Sequence, residues 1–272
     1  MEIEMCQIKQ ALNGSERALE LIIVNVEEGI FNLSLRMLGR MEDAEDAKQD
    51  ILIKVITNLS SYKGDSLFST WVYRIAVNHL LNVKDKQFTG QPLSFEIFGS
   101  DIDRYVITSA DSTDSVEKNI LSEELKMSCT NVLLQCLTPL DRLIFILGTM
   151  FRVESSIGGE ITGLSADNFR QRLSRCKKVM SHFLSEYCEH GGGKKCKCMN
   201  RVHYALKQQR IDLALPYSSS LVPETISNTK TAMENIDAAT ALYSSLLKHS
   251  SKRQAKDFLL KIIKTDDFSI TK

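Results

Sequence analysis

The chain has 272 residues, 43% of them hydrophobic and 25% charged, and its 34 basic residues balance 34 acidic ones. Such a composition is typical of a globular protein with one large domain or two to three small ones. The balance of charge argues against a protein that coats nucleic acid without sequence specificity. No stretch approaches the roughly 18 consecutive apolar residues of a membrane-spanning helix.

Helical periodicity dominates two stretches of the chain and predicts an all-α fold. A polar stretch separates them, with eight acidic against three basic residues between Gln87 and Met127. We therefore expect a helical domain, a flexible acidic linker, a second helical domain, and a Cys-containing segment with a helical tail. In that order, the predicted boundaries are 12–86, 87–121, 122–187 and 188–272.

Two features predict a cytoplasmic protein without a disulfide framework. The first residues lack the basic start and apolar run of a secretory signal. The cysteines number seven, and an odd count in a reducing compartment indicates thiols. The cysteines that lie singly in helical stretches are Cys6, Cys129, Cys136 and Cys176.

An acidic helix is predicted around Asp43–Leu59. Its inward stripe would be Ala44, Ala47, Ile51 and Val55. Charged side chains lie beside that stripe at helical spacing: Asp43, Asp46, Asp50 and Lys54. This face is either solvated, with its acids favourably near the helix N-terminus, or a docking surface for a protein partner.

Aromatic, basic and amide side chains come together in the next segment. A helix is predicted to follow an N-cap at Ser69 or Thr70. Its inward stripe would be Val72, Ala76, Leu80 and Val83, and its opposite side would carry Trp71, Arg74, Asn78 and Asn82. Such aromatics either belong to the core or stack on single-stranded bases, with cations on phosphates and amides on base edges.

The tracts Arg36–Asp50 and Tyr62–Asn78 resemble conserved region 2 of the extracytoplasmic-function (ECF) sigma factors of the sigma-70 superfamily. In that family the acidic helix docks on a coiled coil of the β′ subunit of RNA polymerase. The following loop and helix melt the promoter's minus-ten element and capture a flipped-out base. The resemblance implies core polymerase binding by Asp43, Asp46, Gln49, Asp50 and Lys54. It implies minus-ten DNA binding by Tyr62, Lys63, Asp65, Phe68, Ser69, Trp71, Arg74 and Asn78.

A helix-turn-helix is predicted in the second domain. Thr138 would cap a helix with Pro139 in its first turn. A short helix near Glu154–Thr162 leads to a turn at Gly163, and Ser165 caps the next helix. The buried face of that helix would be Phe169, Leu173, Cys176, Met180 and Phe183. Its other face is basic, and either solvated or suited to a DNA major groove.

The tract Asn168–Arg175 resembles region 4 of the same family, which reads the minus-35 element. The resemblance implies DNA contacts by Asp167, Asn168, Arg170, Gln171, Arg172, Ser174, Arg175 and Lys178. One departure is the pair Gly158 and Gly159, where many members have Glu-Ile-Ala, and we expect it to loosen or shorten the first helix of the motif. In the family, the linker passes near the polymerase active site and the RNA exit path.

A cluster of soft ligands follows the second domain: Cys188, His190, Cys196 and Cys198. It predicts a zinc site, a redox-sensitive thiol group or an incidental cluster, with His203 as a further ligand. A subset of the same family has a similar segment. The nearby basic residues Lys194, Lys195, Lys197 and Arg201 would otherwise contact phosphates. Beyond them, Met233–Ile263 shows the pattern of an amphipathic helix pair.

These observations predict a sigma factor that is not an enzyme and requires no cofactor beyond the candidate zinc. Its implied partners are core RNA polymerase (β′ and β subunits), promoter DNA and an anti-sigma factor, without membrane insertion. A stand-alone helix-turn-helix regulator is the alternative, but it leaves the acidic helix and the Trp71 segment unexplained. A degenerate family member acting as a decoy is a third hypothesis, and a metal-dependent enzyme is the remotest.

Overall fold

A computed structural model of the protein describes residues 3–87, 93–104 and 116–207. The regular structure in these ranges is helical, apart from one isolated bridge between Cys188 and Cys196, which confirms the all-α prediction. The helices are α1 (Met5–Leu12), α2 (Glu16–Leu38), α3 (Met41–Thr57), α4 (Phe68–Gln87), α5 (Phe95–Arg104), α6 (Val116–Gln135), α7 (Pro139–Phe145), α8 (Ser155–Thr162), α9 (Ala166–Tyr187) and α10 (Cys198–Lys207). None of these helices is both long and apolar enough to cross a membrane.

The described residues form two compact units. Unit 1 comprises 3–87 and 154–169, and unit 2 comprises 93–104, 116–153 and 170–207. The boundary therefore falls inside α9, which is one continuous helix. The predicted helix pair at 233–263 lies outside the described residues.

Unit 1 is built on α2, α3 and α4, with α1 packed against α2. The predicted inward stripe of α3 is buried, as are Val72, Ala76 and Leu80 of α4, while the side chain of Val83 lies outside the described residues. Helix α1 precedes the expected start of helical structure near residue 12. Gly39 ends α2 in the left-handed conformation at φ 83°, so the chain turns sharply into α3.

A charged pair lies inside unit 1. The Lys48 ammonium is 2.8 Å from the Glu45 carboxylate, and their side chains are 0% and 7% exposed. The same ammonium lies 5.7 Å from the centre of the Phe31 ring. Paired in this way, the two charges avoid most of the penalty of burying an isolated ion.

Unit 2 confirms the predicted start of α7. The Thr138 hydroxyl accepts a hydrogen bond from the Asp141 N–H at 3.3 Å, and Pro139 occupies the first turn. One turn later, Arg142 is 1% exposed. Its guanidinium donates to the carbonyls of Leu134, Gln135 and Leu137 at 2.7–2.9 Å. Burial lowers the pKa of Arg142 to about 10, which still leaves the side chain charged at neutral pH.

The predicted linker 87–121 is not wholly irregular. It contains α5, and α6 begins at Val116, before the predicted boundary. The reason is an apolar stripe within the acidic sequence, since Phe98 and Ile102 are both buried. Phe98 stacks on Phe183 of α9 with ring centres 5.6 Å apart, so α5 is a packed element of unit 2.

We expect Arg142→Met to lower the free energy of unfolding by about 3 kcal/mol, because three carbonyls at the end of α6 and just after it lose their donor inside the protein. Urea unfolding followed by circular dichroism measures the change. Arg17→Met, at an exposed position on α2, is the matched control and should leave the midpoint unchanged. Equal midpoints for the two variants would contradict the role assigned to Arg142.

Candidate polymerase and nucleic-acid interfaces

The outer face of α4 carries the predicted DNA-binding side chains. Arg74 and Asn78 are exposed and Trp71 is half-buried, as the helical spacing predicted. The start of the helix differs from the prediction. It begins at Phe68, and the Trp71 N–H donates to the Leu67 carbonyl at 3.1 Å, so neither Ser69 nor Thr70 is the N-cap.

Three aromatic rings form a cluster at the start of α4. Phe68 and Trp71 stack with ring centres 5.6 Å apart, and Tyr62 lies edge-on to Phe68 at 5.3 Å. Phe68 is only 1% exposed, whereas the resemblance implied that it touches DNA. Its ring packs in the core because it opens the helix on the inward side, and there it supports the indole of Trp71.

A cleft of about 330 Å³ opens beside this cluster. Its volume is within the range of small-molecule sites, about 300–1,000 Å³. Its lining combines two aromatic rings, two cations, one carboxylate and several hydroxyl or amide groups: Ser61, Tyr62, Lys63, Asp65, Ser66, Trp71, Arg74, Ile75 and Asn78. Arg74 also lies 3.8 Å from Glu160 of α8, an exposed pair of the kind that contributes less than about 1 kcal/mol.

A second cleft of about 260 Å³ lies on the α3 side of Trp71. The Lys54 ammonium is 2.8 Å from the Nδ1 atom of His79, which is 7% exposed. Burial lowers the pKa of His79, the Lys54 charge lowers it further, and Asp50 opposes both effects. His79 is therefore neutral, and its Nδ1 accepts a hydrogen bond from Lys54. Lys54, a predicted polymerase contact, thus lines a cleft next to Trp71.

The predicted docking face of α3 is acidic at its surface. Asp46 and Asp50 are exposed, and Asp43 and Gln49 are half-buried. Lys48 also belongs to this helix, but it is buried with Glu45 and does not lie on the face. The exposed face is therefore dominated by carboxylates until Lys54.

The glycine pair in α8 has a packing role that the sequence did not indicate. Gly158 and Gly159 are buried in an intact α8. A methyl group on Gly158 would lie 2.5 Å from the Phe169 ring, and one on Gly159 would lie 2.6 Å from the Leu164 carbonyl oxygen. The pair therefore does not loosen the helix. It allows α8 to approach the turn and the start of α9 closely.

The turn and the start of α9 agree with the predicted helix-turn-helix. Gly163 has φ 72°, and the Ser165 hydroxyl accepts from the Asn168 N–H at 3.2 Å. Most predicted minus-35 side chains on α9 are exposed: Asp167, Asn168, Arg170, Gln171, Ser174, Arg175 and Lys178. Arg172 differs, because it is half-buried and lies 3.2 Å from the Asp141 carboxylate. A shallow depression of about 450 Å³ runs along this face beside Arg170, Lys177 and Lys178.

The buried face of α9 was also predicted in part. Phe169, Cys176, Met180 and Phe183 are buried, while Leu173 is half-buried. Burial raises the pKa of the Cys176 thiol to about 12, which is the property of an unreactive core thiol.

The segment after α9 brings together part of the predicted ligand cluster. Donor atoms of Glu189, His190 and Cys198 lie within 4.8 Å of one another. The predicted ligands Cys188 and Cys196 are outside this group, as is His203, which is exposed. Two of the basic residues considered for phosphate binding are paired internally. Lys195 is 2.9 Å from Glu186 and 3.2 Å from Asp103, and Arg201 is 7% exposed.

The chain is similar to sigma factors. Residues 26–87 match the family model for sigma-70 region 2. The ECF RNA polymerase sigma factor SigW of Bacillus subtilis is 27% identical over 175 residues, which cover 64% of this chain and 92% of SigW. The ECF RNA polymerase sigma-E factor of Haemophilus influenzae is 30% identical over 44% of this chain and 62% of its own length. The RNA polymerase sigma-H factor of Pseudomonas aeruginosa is 33% identical over 28% of this chain and 39% of its own.

We expect Gly159→Ala to destabilise the protein by about 1–3 kcal/mol, because the added methyl group meets backbone atoms that cannot rotate away. In a solvent-exposed helix the same change would stabilise the protein by up to about 1 kcal/mol. The sign of the change in stability therefore distinguishes a packed glycine from an exposed one. Thermal unfolding followed by circular dichroism measures the shift. Gly163→Asn is the control, since asparagine tolerates a left-handed conformation and nothing lies within 4 Å of that position. A raised melting temperature for Gly159→Ala would overturn the packing argument.

Proposed function

The chain belongs to the ECF sigma factors of the sigma-70 family, and from this premise we propose that it directs core RNA polymerase to promoters and opens their minus-ten element. Members of this family are not enzymes, and we propose no catalysis by this chain. A factor with this function acts in the cytoplasm, where core polymerase and the chromosome are present. The observation that carries the proposal is the cleft beside Trp71.

Opening a promoter requires a site that compensates for unstacking a base. Extruding a base costs a few kcal/mol, and stacking it on an aromatic ring returns about 1–3 kcal/mol. The half-buried Trp71 ring, held by Phe68 beneath it, offers such a platform at the mouth of the cleft. Asn78 supplies an amide for a base edge, and Lys63 and Arg74 supply cations for phosphates.

The acidic face of α3 is the proposed docking site for core polymerase, through its β′ subunit. Asp46 and Asp50 are exposed there, and Lys48 is buried with Glu45. At the start of the helix the exposed Arg40 lies 3.9 Å from Asp43. A mainly acidic face suits a basic partner surface and speeds encounter. Lys54 and the Trp71 cleft adjoin this face, so polymerase and melted DNA would be held by neighbouring surfaces of unit 1.

Duplex DNA at the minus-35 element is the proposed ligand of α9. Its exposed Arg170, Gln171 and Arg175 suit base edges in a major groove, and Lys178 suits a phosphate. Arg172 would serve instead to hold α9 through Asp141. An anti-sigma factor that covers these surfaces is a further proposed partner.

A stand-alone helix-turn-helix regulator would use α9 in the same way. It would have no use for an acidic docking face or for an aromatic cleft on the other unit. The match of region 2 and the 92% coverage of SigW favour the sigma factor. The tight packing of Gly158 and Gly159 also speaks against a decoy with a damaged motif.

We expect Trp71→Ala to reduce run-off transcription by the reconstituted holoenzyme at least about tenfold, because the stacking platform is lost. The template is the DNA upstream of the protein's own gene, with sigma-free core polymerase. Trp71→Phe keeps an aromatic face and should retain most activity. A template already unpaired across the minus-ten element should restore the Trp71→Ala variant, which separates melting from docking. Unchanged transcription in Trp71→Ala would overturn the role of Trp71 in melting. Duplex binding without any transcription by the wild-type protein would support the stand-alone regulator.

We expect Asp46→Lys to weaken binding to core polymerase at least about tenfold at low salt, and the difference to shrink at high salt as charges are screened. Glu28→Lys makes the same charge change on the exposed side of α2 and is the control. Fluorescence anisotropy of labelled protein titrated with core polymerase gives both affinities. Equal affinities for the two variants would remove α3 from the docking surface.

A further inference from the structure

The segment between α9 and α10 forms a tight turn that returns the chain to the end of α9. The Glu189 N–H donates to the Cys196 carbonyl at 3.1 Å, and the Cys196 N–H donates to the Tyr187 carbonyl at 2.8 Å. These bonds pair Cys188 with Cys196 as neighbours across a bridge, whose side chains lie on the same side. A methyl group on Gly193 would lie 2.6 Å from the Cys188 nitrogen, so the turn closes only with glycine there.

A third cysteine starts the next helix. The Cys198 N–H donates to the Glu189 carboxylate at 2.8 Å, which ties the start of α10 to the same turn. Cys198 is buried, and it lies two residues after Cys196. The fold thus gathers three thiols from a stretch of eleven residues, Cys188–Cys198.

The fourth thiol comes from α6, far away in the sequence. Cys129 lines the same cavity of about 390 Å³ as Cys196 and Cys198. Helices α6 and α10 hold it there, because Leu125 of α6 packs against Val202 and Ala205 of α10. Burial raises the pKa of Cys129 well above its usual range, and the nearby sulfurs of the other three cysteines raise it further.

A buried cation lies beside these sulfurs. Arg201 is 7% exposed, and its Nη2 atom has no hydrogen-bond partner, lying 3.7 Å from the Asp101 carboxylate. Its guanidinium partly offsets the effect of burial on the pKa of Cys196. Four thiolates around a divalent metal carry a net charge of −2, and a buried guanidinium would balance part of it.

We propose that Cys129, Cys188, Cys196 and Cys198 bind one Zn²⁺, which joins α6 to the segment that follows α9. Four thiolates are the ligand set of closed, tetrahedral structural zinc sites. Binding releases the thiol protons to solvent. This assigns Cys129, which the sequence pattern did not indicate, in place of His190.

Two alternatives, a zinc site that includes Glu189 and His190 and a redox-sensing thiol, fit the chemistry of this cluster less well. Glu189 and His190 lie near Cys198, but the Glu189 carboxylate already accepts the Cys198 N–H, and thiolates are softer ligands for zinc than a carboxylate. Redox sensing needs an accessible thiol with a lowered pKa. Cys198 is buried, and Cys129, Cys188 and Cys196 are only partly exposed.

The test uses the full-length protein, purified under reducing conditions, with zinc content measured by mass spectrometry and affinity by chelator competition. We expect one zinc per chain. Cys129→Ser should weaken zinc binding at least about 100-fold, because losing even a group that orients a ligand costs about 10–100-fold. Cys136→Ser, seven residues later and just past the end of α6, is the control and should bind as the wild-type protein does. His190→Ala should also bind as the wild-type protein does.

Cobalt substitution identifies the ligands independently. The sulfur-to-cobalt charge-transfer absorption of the wild-type protein should fall by about one quarter in Cys129→Ser, one thiolate of four, and stay unchanged in His190→Ala. Circular dichroism of each variant reports whether it folds, and Cys198→Ser repeats the test if Cys129→Ser does not. A wild-type protein without stoichiometric zinc overturns the site. A loss of zinc binding in His190→Ala but not in Cys129→Ser overturns the assignment of Cys129. Neither measurement involves polymerase or DNA, so both outcomes are independent of the proposed promoter function.

Discussion

The contact between Tyr73 of α4 and Gly29 of α2 determines which side of α4 remains for function. A methyl group on Gly29 would lie 2.6 Å from the Tyr73 hydroxyl, so a side chain at that position would displace the end of the tyrosine side chain. Burial raises the pKa of Tyr73 to about 12, as expected for a ring enclosed between helices. With Tyr73, Val72 and Ala76 turned inward, the helical period leaves Trp71, Arg74 and Asn78 on the outside. The cleft is a consequence of this packing.

Burial of charge shapes the surfaces as much as burial of apolar groups does. Lys48 is enclosed with Glu45 in unit 1, and Arg142 is enclosed among carbonyls in unit 2. Each cation has its partners inside the protein, so neither contributes to the surface field. A count of charges along the sequence therefore gives the right net charge for the face of α3, because the buried pair removes one acid and one base, but it does not show that the remaining side chains of Met41–Asp50 include no lysine. On α9, a count of basic residues exceeds the number of free cations at the surface, because Arg172 is paired with Asp141.

The sequence was sufficient for features that depend on local periodicity and capping. It predicted the helical class, the outward face of α4, the cap at Thr138 and the turn at Gly163, because each rests on residues a few positions apart. It was insufficient for features that depend on contacts between residues far apart in the sequence. The helix α5 packs because Phe98 stacks on Phe183, and Cys129 lines a cavity with Cys196 and Cys198 because α6 packs on α10. The same holds for Gly159, whose role appears only when the following turn lies against it.

Helix α9 has two distinct halves. Its first half exposes basic side chains, and its second half packs Phe183 and Tyr187 onto α5 and the turn that carries the cysteines. With 22 residues the helix is about 33 Å long, and the basic side chains and the cysteine turn lie at different places along it. Energetic coupling between a zinc site at one end and promoter reading at the other would need an element with two arrangements. The proposed zinc site therefore acts on the stability of unit 2, by binding the folded form alone, and promoter choice is left to the side chains on the first half of α9.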